Sequence, residues 1–499
     1  MLLTKIRNID NVIIMIMNNN DLKPKAVFDI FSQINAIPRP SKHEEKMIEF
    51  LKAFAAEHNL PCKVDEAGNV LISKGASKGM ENRKTVVLQS HMDMVCEKNS
   101  DVDFDFKKDA IQTYVDGEWM KAKGTTLGAD DGIGMAIALA VLTSEDIEHG
   151  PVECLFTRDE ETGLSGAFAI RPGFMTGDYL LNLDSEDEGQ IFVGCAGGAN
   201  TVARFHYSEI DVPEGYFFFK VGVSGLTGGH SGDDINKNRA NANKLLARFL
   251  YNCYKKYDLY LCSIDGGNLH NAIPREAHAV CALPASEKEN VRVDLNVFAS
   301  EVEGEFSVTE PNIEFTLESA DACKAVDGKA ASGLIYALQS VHNGVLAMSQ
   351  DIEGLVETSS NLASVKMIDG EIVITSSQRS SILSARHNMS HTVASAFEIA
   401  GATVETGDGY PGWKPNPESA ILKIAVDTYV ELFGKKPEVK AIHAGLECGL
   451  FSEKYPGMDM ISFGPTLRGV HSPEERLLIP TVDMVWRHML AILKNIPVK

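Results

Sequence analysis

"TVVLQSHMD", residues 85–93, is a short apolar run that ends on a histidine and an aspartate two positions apart. Two later stretches share its plan, "VECLFTRDEE" (152–161) and "YLLNLDSED" (179–187), each apolar at first and each finishing in carboxylates. Continuous apolar runs of this length suit strands buried on both faces, and "GIGMAIALAVLTS" (132–144) between the first two reads as a covering helix. The pattern predicts an α/β domain with a mostly parallel sheet. In such open sheets ligands collect beyond the carboxyl ends of the strands, where all three runs place their polar residues.

Outward from these strands, Val27, Ile30, Phe31 and Ile34 are spaced for one face of a helix, and "SKHEEKMIEFLKAFAAEH" (41–58) predicts a second amphipathic helix. After "GCAGGAN" (194–200) the texture changes. "YFFFKVGVSGL" (216–226), "VRVDLNVFA" (291–299), "FSVTEPNIEFTLESA" (306–320) and "EIVITSSQRSS" (371–381) read as alternating strands, with helices such as "RANANKLLARFLYNCYKKY" (239–257) between them. The α/β texture returns with "ESAILKIAVDTYVELF" (418–433) and the apolar strand "MDMISFGP" (458–465). An α+β domain with an antiparallel sheet, residues 199–408, is therefore expected to be inserted between two parts of the first domain, 1–198 and 409–499. No internal repeat or low-complexity segment is legible.

A chain of 499 residues with 44% hydrophobic content is long for a single core. The net charge of −22, from 47 basic and 69 acidic side chains, disfavours nucleic acid and anionic lipid surfaces as partners. Nine scattered cysteines without a C-x-x-C pair fit reduced thiols, and indicate neither a disulfide framework nor a thiolate zinc site. The N-terminal "VIIMIM" (12–17) is shorter than a signal-peptide core and lacks a small-residue cleavage site. Residues 1–21 are read as an untargeted extension, with Met17 an alternative start. No apolar run approaches the roughly 20 residues of a membrane span, so a cytoplasmic location is expected.

The polar strand ends gather His91, Asp93, Asp130, Glu160, Glu161 and Asp184, joined far along the chain by Glu447 and His471. Imidazole nitrogen and carboxylate oxygen are zinc ligands, and a paired site needs about three protein ligands per ion with a position left for water. In extended chain His91 and Asp93 point the same way, so Asp93 can hold the other ring nitrogen of His91. Alone, an H-x-D would be read as an ordinary histidine. In "GTTLGADDGIGMA" (124–136), Gly128, Gly132 and Gly134 allow unusual backbone angles around Asp130, which standing alone would equally be a helix cap. In "DEETG" (159–163), neighbours at a strand end face different directions, so one glutamate can ligate while the other acts as general base. The residues do not order the pair; Glu161 is taken as ligand and Glu160 as base. Asp184 closes "YLLNLD", and His471 lies in a loop where Pro473 and Glu474 are expected to open a helix.

The blocks "SHMDMVCEK", "GTTLGADDGIGMA", "DEETGLSGA", "NLDSEDEG", "GGHSGDDI", "GNLHNAIPREA" and "GPTLRGVHSPEERL" resemble, in order, those of the M20 metallopeptidases, within them the aminoacyl-histidine (Xaa-His) or cytosol nonspecific dipeptidases. Coverage runs from about residue 22 to the end. The resemblance implies a pair of zinc ions per subunit, with cobalt or manganese as substitutes. His91 and Asp184 would hold one ion, Glu161 and His471 the other, and Asp130 would bridge them. It also implies a cis peptide between Asp130 and Asp131. The inserted domain would be the family's lid, with His230 steadying the oxyanion, and Asn271 and Arg379 holding the substrate backbone and its C-terminal carboxylate. Read without the resemblance, these three are a loop histidine, a turn residue and a surface cation. Glu447 matches a position where many relatives supply a metal ligand; with Asp184 in that place, it is read as a contact behind the ligands or to the substrate amine. The expected activity is hydrolysis of dipeptides with a free C-terminus by a zinc-bridged water and a glutamate base. An N-acyl amino acid deacylase is the alternative, a non-catalytic interaction protein on the same scaffold a remote one. A homodimer is compatible with the family.

Overall fold

A computed structural model describes residues 22–416 and 418–499. The expectations for residues 1–21 lie outside the described residues. The chain forms two units. One comprises the chain up to Gly194, Asn416–Lys440 and Leu450–Lys499; the other comprises Cys195–Pro415 and Ala441–Gly449. The return of Ala441–Gly449 to the second unit is not announced by any change in sequence pattern. It is fixed by the Ala196 N–H, which donates to the carbonyls of Ile442 (3.1 Å) and Ala444 (3.0 Å).

The first unit has the α/β architecture that its apolar runs predict. Its sheet passes, in spatial order, through Cys62–Val64, Val70–Lys74, Val152–Thr157, Val86–His91, Tyr179–Asn182, Asp459–Ser462 and Gln190–Cys195. The four middle strands are mutually parallel, and antiparallel strands flank them. Every residue of Val86–His91, Val152–Thr157 and Tyr179–Asn182 is buried, as continuous apolar runs require. Helix Ala129–Thr143 is buried along nearly its whole length, and Lys25–Asn35 packs with Val27, Ile30, Phe31 and Ile34 inward. A small antiparallel sheet in the same unit carries the hairpin Leu467–Arg468 and Arg476–Leu478.

The second unit is α+β on a nine-stranded antiparallel sheet. Strands Tyr216–Ser224, Tyr260–Gly266, Ala277–Pro284 and Glu314–Ser319, with helices Ala242–Lys256 and Lys288–Glu305, form a βαββαβ module. Its strands stand in the spatial order fourth, first, third, second. Gly197–His206, Val356–Ile368, Glu371–Ser380 and Thr403–Thr406, with helices Gly328–Ser340 and Leu383–Ile399, repeat that plan in the same order. The two modules join through their second strands, at Gly266 opposite Val365. The repeat is one of topology and leaves no repeat in the sequence.

One expected strand is a helix. "VRVDLNVFA" lies within Lys288–Glu305, where Val291, Leu295, Phe298 and Val302 are buried at helical spacing. Its apparent alternation arises because Val293 and Val297 sit on the solvent face, 59% and 54% exposed. In "FSVTEPNIEFTLESA" only Glu314–Ser319 is strand, since Pro311 cannot donate to a ladder. Among the described residues no helix is long and apolar enough to cross a membrane.

Candidate functional site

The parallel strands of the first unit end level with one another: His91 pairs with Thr157 and Gln89 with Asn182. A row of buried polar side chains ties these ends together. Gln89 Nε2 donates to Thr157 Oγ1 (3.2 Å), Asn182 Nδ2 donates to Gln89 Oε1 (2.6 Å), and the hydroxyls of Ser185 and Ser462 lie 2.6 Å apart.

At this edge His91 Nε2 lies 3.1 Å from Asp130 Oδ1 and 3.4 Å from Asp184 Oδ1. His471 Nε2 lies 3.1 Å from Asp130 Oδ2 and 3.0 Å from Glu161 Oε2. Two three-donor groups therefore share Asp130, which turns one oxygen to each. Glu160 joins His91 and Glu161 in a further group whose donor atoms lie within 4.8 Å of one another. Asp93 Oδ1 is 3.3 Å from His91 Nδ1, and the same carboxylate accepts from the Glu160 N–H (3.0 Å), the Glu161 N–H (3.2 Å) and Ser41 Oγ (2.7 Å). Asp93 thus stands against the His91 ring and anchors the backbone of the glutamate pair.

Several local expectations change. Glu160 and Glu161 stand in one helical turn, Glu160–Gly163, launched by Asp159 at φ +51°, so the helical twist separates them rather than strand alternation. Gly128 does adopt a positive φ (+67°), but Gly132 and Gly134 are needed for room: a Cβ would lie 2.6 Å from Arg39 Nη2 at Gly132 and 2.2 Å from Asp131 Oδ1 at Gly134. The Asp130–Asp131 peptide is cis. No helix opens at Pro473; the chain turns there, forms strand Arg476–Leu478, and begins a helix at Ile479 with Pro480 in its first turn. The reason is the buried side chain of Glu475, which accepts from backbone N–H groups of residues 127–130.

The cluster demands positive charge. Hydrogen bonds to the carboxylates of Asp130 and Glu161 lift His471 to about 11, against its partial burial. Burial opposes a charged His91, but Asp184, Asp130 and Asp93 raise it well above the usual imidazole range. Burial likewise opposes an ionised Asp130, yet His471 and His91 hold it far below the usual carboxylate range. Burial and the charge of Asp130 push nearby Glu186 up to about 7.

These residues fit divalent ions. The nitrogen–oxygen separations of 3.0–3.4 Å match the edges, roughly 3.3 Å, of a tetrahedral site with bonds of about 2.0–2.1 Å. Glu161 Oε1 is buried without a hydrogen-bond partner, as a ligand oxygen would be.

The second unit holds His230, Asn271, Arg379 and Glu447. Arg379 is 5% exposed rather than a surface cation. Its Nη1 donates to Tyr410 Oη (3.0 Å), its Nη2 lies 3.4 Å from His230 Nε2, and its Nε donates to Ser231 Oγ (3.4 Å). Among the described residues no carboxylate lies within 4 Å of this guanidinium. Asn271 is exposed, and its carbonyl accepts from the Ser231 N–H (2.8 Å). Glu447 is fully buried at the start of helix Glu447–Lys454. Burial and Arg379 push His443 down to about 3, and lower His270 as well.

Sequence reading missed Arg39, Glu44, Asp159 and Glu475, all buried and charged behind this edge. Glu44 accepts from the Asp159 N–H (3.1 Å) and pairs with Arg158 (2.7 Å), and Asp159 accepts from the hydroxyls of Thr162 and Ser165. Arg39 and Glu44 sit in no apolar run or motif that would mark them, whereas Asp159 in "DEETG" and Glu475 in "GPTLRGVHSPEERL" lie inside such blocks, where their neighbours draw the reading.

Residues 87–495 match the model of peptidase family M20/M25/M40. The chain is 44% identical over 481 residues, 96% of its length and 99% of the relative's, to the cytosol non-specific dipeptidase of Escherichia coli K12. The aminoacylhistidine dipeptidase of Vibrio alginolyticus superimposes with a TM-score of 0.90 at 45% identity, covering 97% of this chain and 99% of that one. The aminopeptidase PepT of Bacillus cereus shares the fold at a TM-score of 0.57 and 16% identity, over 95% and 99% of the two chains. By its sequence match and its architecture, this chain belongs to peptidase family M20/M25/M40.

Proposed function

We propose that the chain is a metal-dependent dipeptidase acting on small peptides with a free C-terminus. The observation that carries this reading is Asp130, whose two oxygens each lie 3.1 Å from a different histidine, His91 and His471. Two divalent ions would be held by His91 and Asp184 on one side and by Glu161 and His471 on the other, with Asp130 common to both. Zinc suits these donors, and the same ligands accommodate cobalt or manganese. When bound, such ions supply Lewis acidity, which makes water ionisable near neutral pH and polarises a carbonyl.

The chain's own residues then have distinct tasks. Asp93, against His91 Nδ1, keeps the Nε2 lone pair directed at the site. The Glu160 carboxylate takes the proton of the attacking water and returns it to the leaving amine nitrogen. Arg379, buried without an acidic partner within 4 Å among the described residues, would receive the C-terminal carboxylate on its planar fork. His230 would donate to the developing oxyanion, Asn271 would hold the peptide backbone, and Glu447 would meet the free amine. The names of the E. coli and Vibrio relatives support a dipeptide substrate, the Vibrio name an Xaa-His preference, and the E. coli name a broad specificity and a cytosolic setting.

The test is metal analysis of the purified chain together with rates on a panel of Xaa-His and other dipeptides and on N-acetyl amino acids. Two ions per chain and faster turnover of dipeptides are expected. A chain that takes up no ion, or that turns over acetyl-amino acids much faster than dipeptides, overturns the proposal.

A further inference from the structure

We infer that Arg39 and Glu475 form a buried clamp that aims Asp130 at both donor groups, and so decides how tightly each ion is held. The inference rests on Asp130 being the shared ligand of the proposed metal pair.

Glu475 is 2% exposed, and its carboxylate takes four consecutive backbone N–H groups. Oε2 accepts from Leu127 (2.7 Å) and Gly128 (3.0 Å), and Oε1 from Ala129 (2.8 Å) and Asp130 (3.3 Å). Four acceptor sites is about the full capacity of a carboxylate, so this side chain has no bond to spare for a ligand. Its whole hydrogen-bonding capacity is directed at the segment that ends on Asp130. Arg39, 1% exposed, grips the same segment through its carbonyl side, donating from Nη2 to Gly128 O. Its Nη1 donates to the carbonyls of Met92 (3.2 Å) and Asp93 (2.6 Å). One guanidinium therefore ties the backbone beside His91 to the backbone before Asp130. The glycines confirm how closely it passes: a Cβ at Gly128 or at Gly132 would lie 2.6 Å from Arg39 Nη2.

Glu475 also sits in the turn that carries His471, four residues away. Its bond to Asp130 N–H thus fixes the reach between His471 and Asp130 Oδ2, while Arg39 fixes the reach between His91 and Asp130 Oδ1. Both are positioning residues, because neither has an atom among the donor groups. A clamp of this kind acts on geometry, and tilting Asp130 withdraws one oxygen from one group before the other. The two ions should therefore respond unequally to its loss. A buried pair that merely stabilised the fold would weaken both ions together, and only as far as the protein unfolds.

The experiment uses the full chain, stripped of metal with a chelator and then titrated with Zn2+ against a chromophoric competitor, and separately with Co2+ followed by its visible absorption. Wild type is compared with Glu475→Gln and Arg39→Lys, and unfolding of each stripped form is recorded by circular dichroism. In Glu475→Gln the ion at His91 and Asp184 should bind nearly as in wild type and the ion at Glu161 and His471 about 10- to 100-fold more weakly, with altered cobalt bands. Arg39→Lys keeps the charge but loses the fork, and should weaken the other ion, the one at His91 and Asp184, by less. If Glu475→Gln does not fold, the unequal loss in Arg39→Lys decides. Two ions bound as in wild type with unchanged cobalt bands, or equal loss of both ions in step with unfolding, overturns the clamp. A wild-type chain that binds no ion withdraws the proposed function, and the clamp with it.

Discussion

In the first unit carboxylates lift His471 to about 11, whereas in the second burial and Arg379 push His443 down to about 3. The same side chain shifts in opposite directions, upward among carboxylates and downward chiefly through burial, with Arg379 adding to it. Around Asp130 the acids outnumber the imidazoles, and the cluster is incomplete without added positive charge. Around Arg379 a buried cation meets hydroxyls and histidines but no acid within 4 Å among the described residues, and that cluster is incomplete without added negative charge. In the proposed function the first deficit is met by metal and the second by the terminal carboxylate. On that reading each unit takes a ligand of charge opposite to its own cluster.

The comparison breaks most sharply at Glu160. Glu160→Ala should lower kcat by about 10²- to 10⁴-fold, the contribution of a placed general base. Metal content should stay at the wild-type value, because the proposed ligands are untouched. Turnover retained in this variant would remove Glu160 from its role, and lost ions would recast it as a ligand.

Next is the coupling of metal to protons in the first unit. The carboxylates keep His471 protonated up to about pH 11 in the ion-free site, and His91 well above its usual range, so an ion must displace protons to bind. Affinity should fall as pH falls, by about tenfold per pH unit for each displaced proton. Calorimetric titration of stripped protein with Zn2+ in buffers of different ionisation enthalpy measures this release directly. Binding that releases no proton would mean the imidazoles are not ligands.

A smaller effect is expected in the second unit. Arg379→Lys keeps the charge but not the fork, and should raise KM for dipeptides on the order of 10- to 100-fold, about 1.4–2.8 kcal/mol, with kcat and metal content little changed. Substrates amidated at the C-terminus should show no such difference between wild type and variant. If the amides lose as much as the free acids, Arg379 serves something other than the carboxylate.

How far these features can be read in the sequence follows from what each depends on. Runs such as "VECLFTRDEE" announce buried parallel strands because burial on both faces excludes polar residues, and they locate the carboxylates because such strands end at a common edge. Alternation is weaker evidence. Val291, Val293, Leu295 and Val297 alternate with polar residues yet lie on a helix, because a helix with two valines facing solvent mimics the strand period. The repeated βαββαβ plan stays hidden because topology depends on how elements connect, and not on recurring residues. Arg39 and Glu475 stay hidden for another reason. A buried charge is legible only through its partners, and their partners are backbone carbonyls and amides, which carry no residue identity. The position of Ala441–Gly449 is similarly set by backbone hydrogen bonds from Ala196.

The field of the second unit can be sharpened through stability as well as binding. His443 is buried, its Nε2 lies 2.8 Å from Ser359 Oγ, and Arg379 and His230 oppose its protonation while Asp233 favours it. Its folded value of about 3 lies below the roughly 6.5 of an unfolded chain, so between those limits the unfolded state binds the extra proton. The contribution of neutral His443 is thus complete above about pH 6.5 and declines on acidification, at about 1.4 kcal/mol per pH unit, until the folded form also protonates. His443→Gln has no proton to take up. The stability of wild type relative to this variant, measured by denaturant unfolding of the stripped chain, should therefore shrink from pH 6.5 downward. The sign is opposite to that of a histidine held charged among carboxylates. A difference that stays constant with pH would show that neither burial nor Arg379 keeps His443 neutral, and the contrast between the two units would fail at its weaker end.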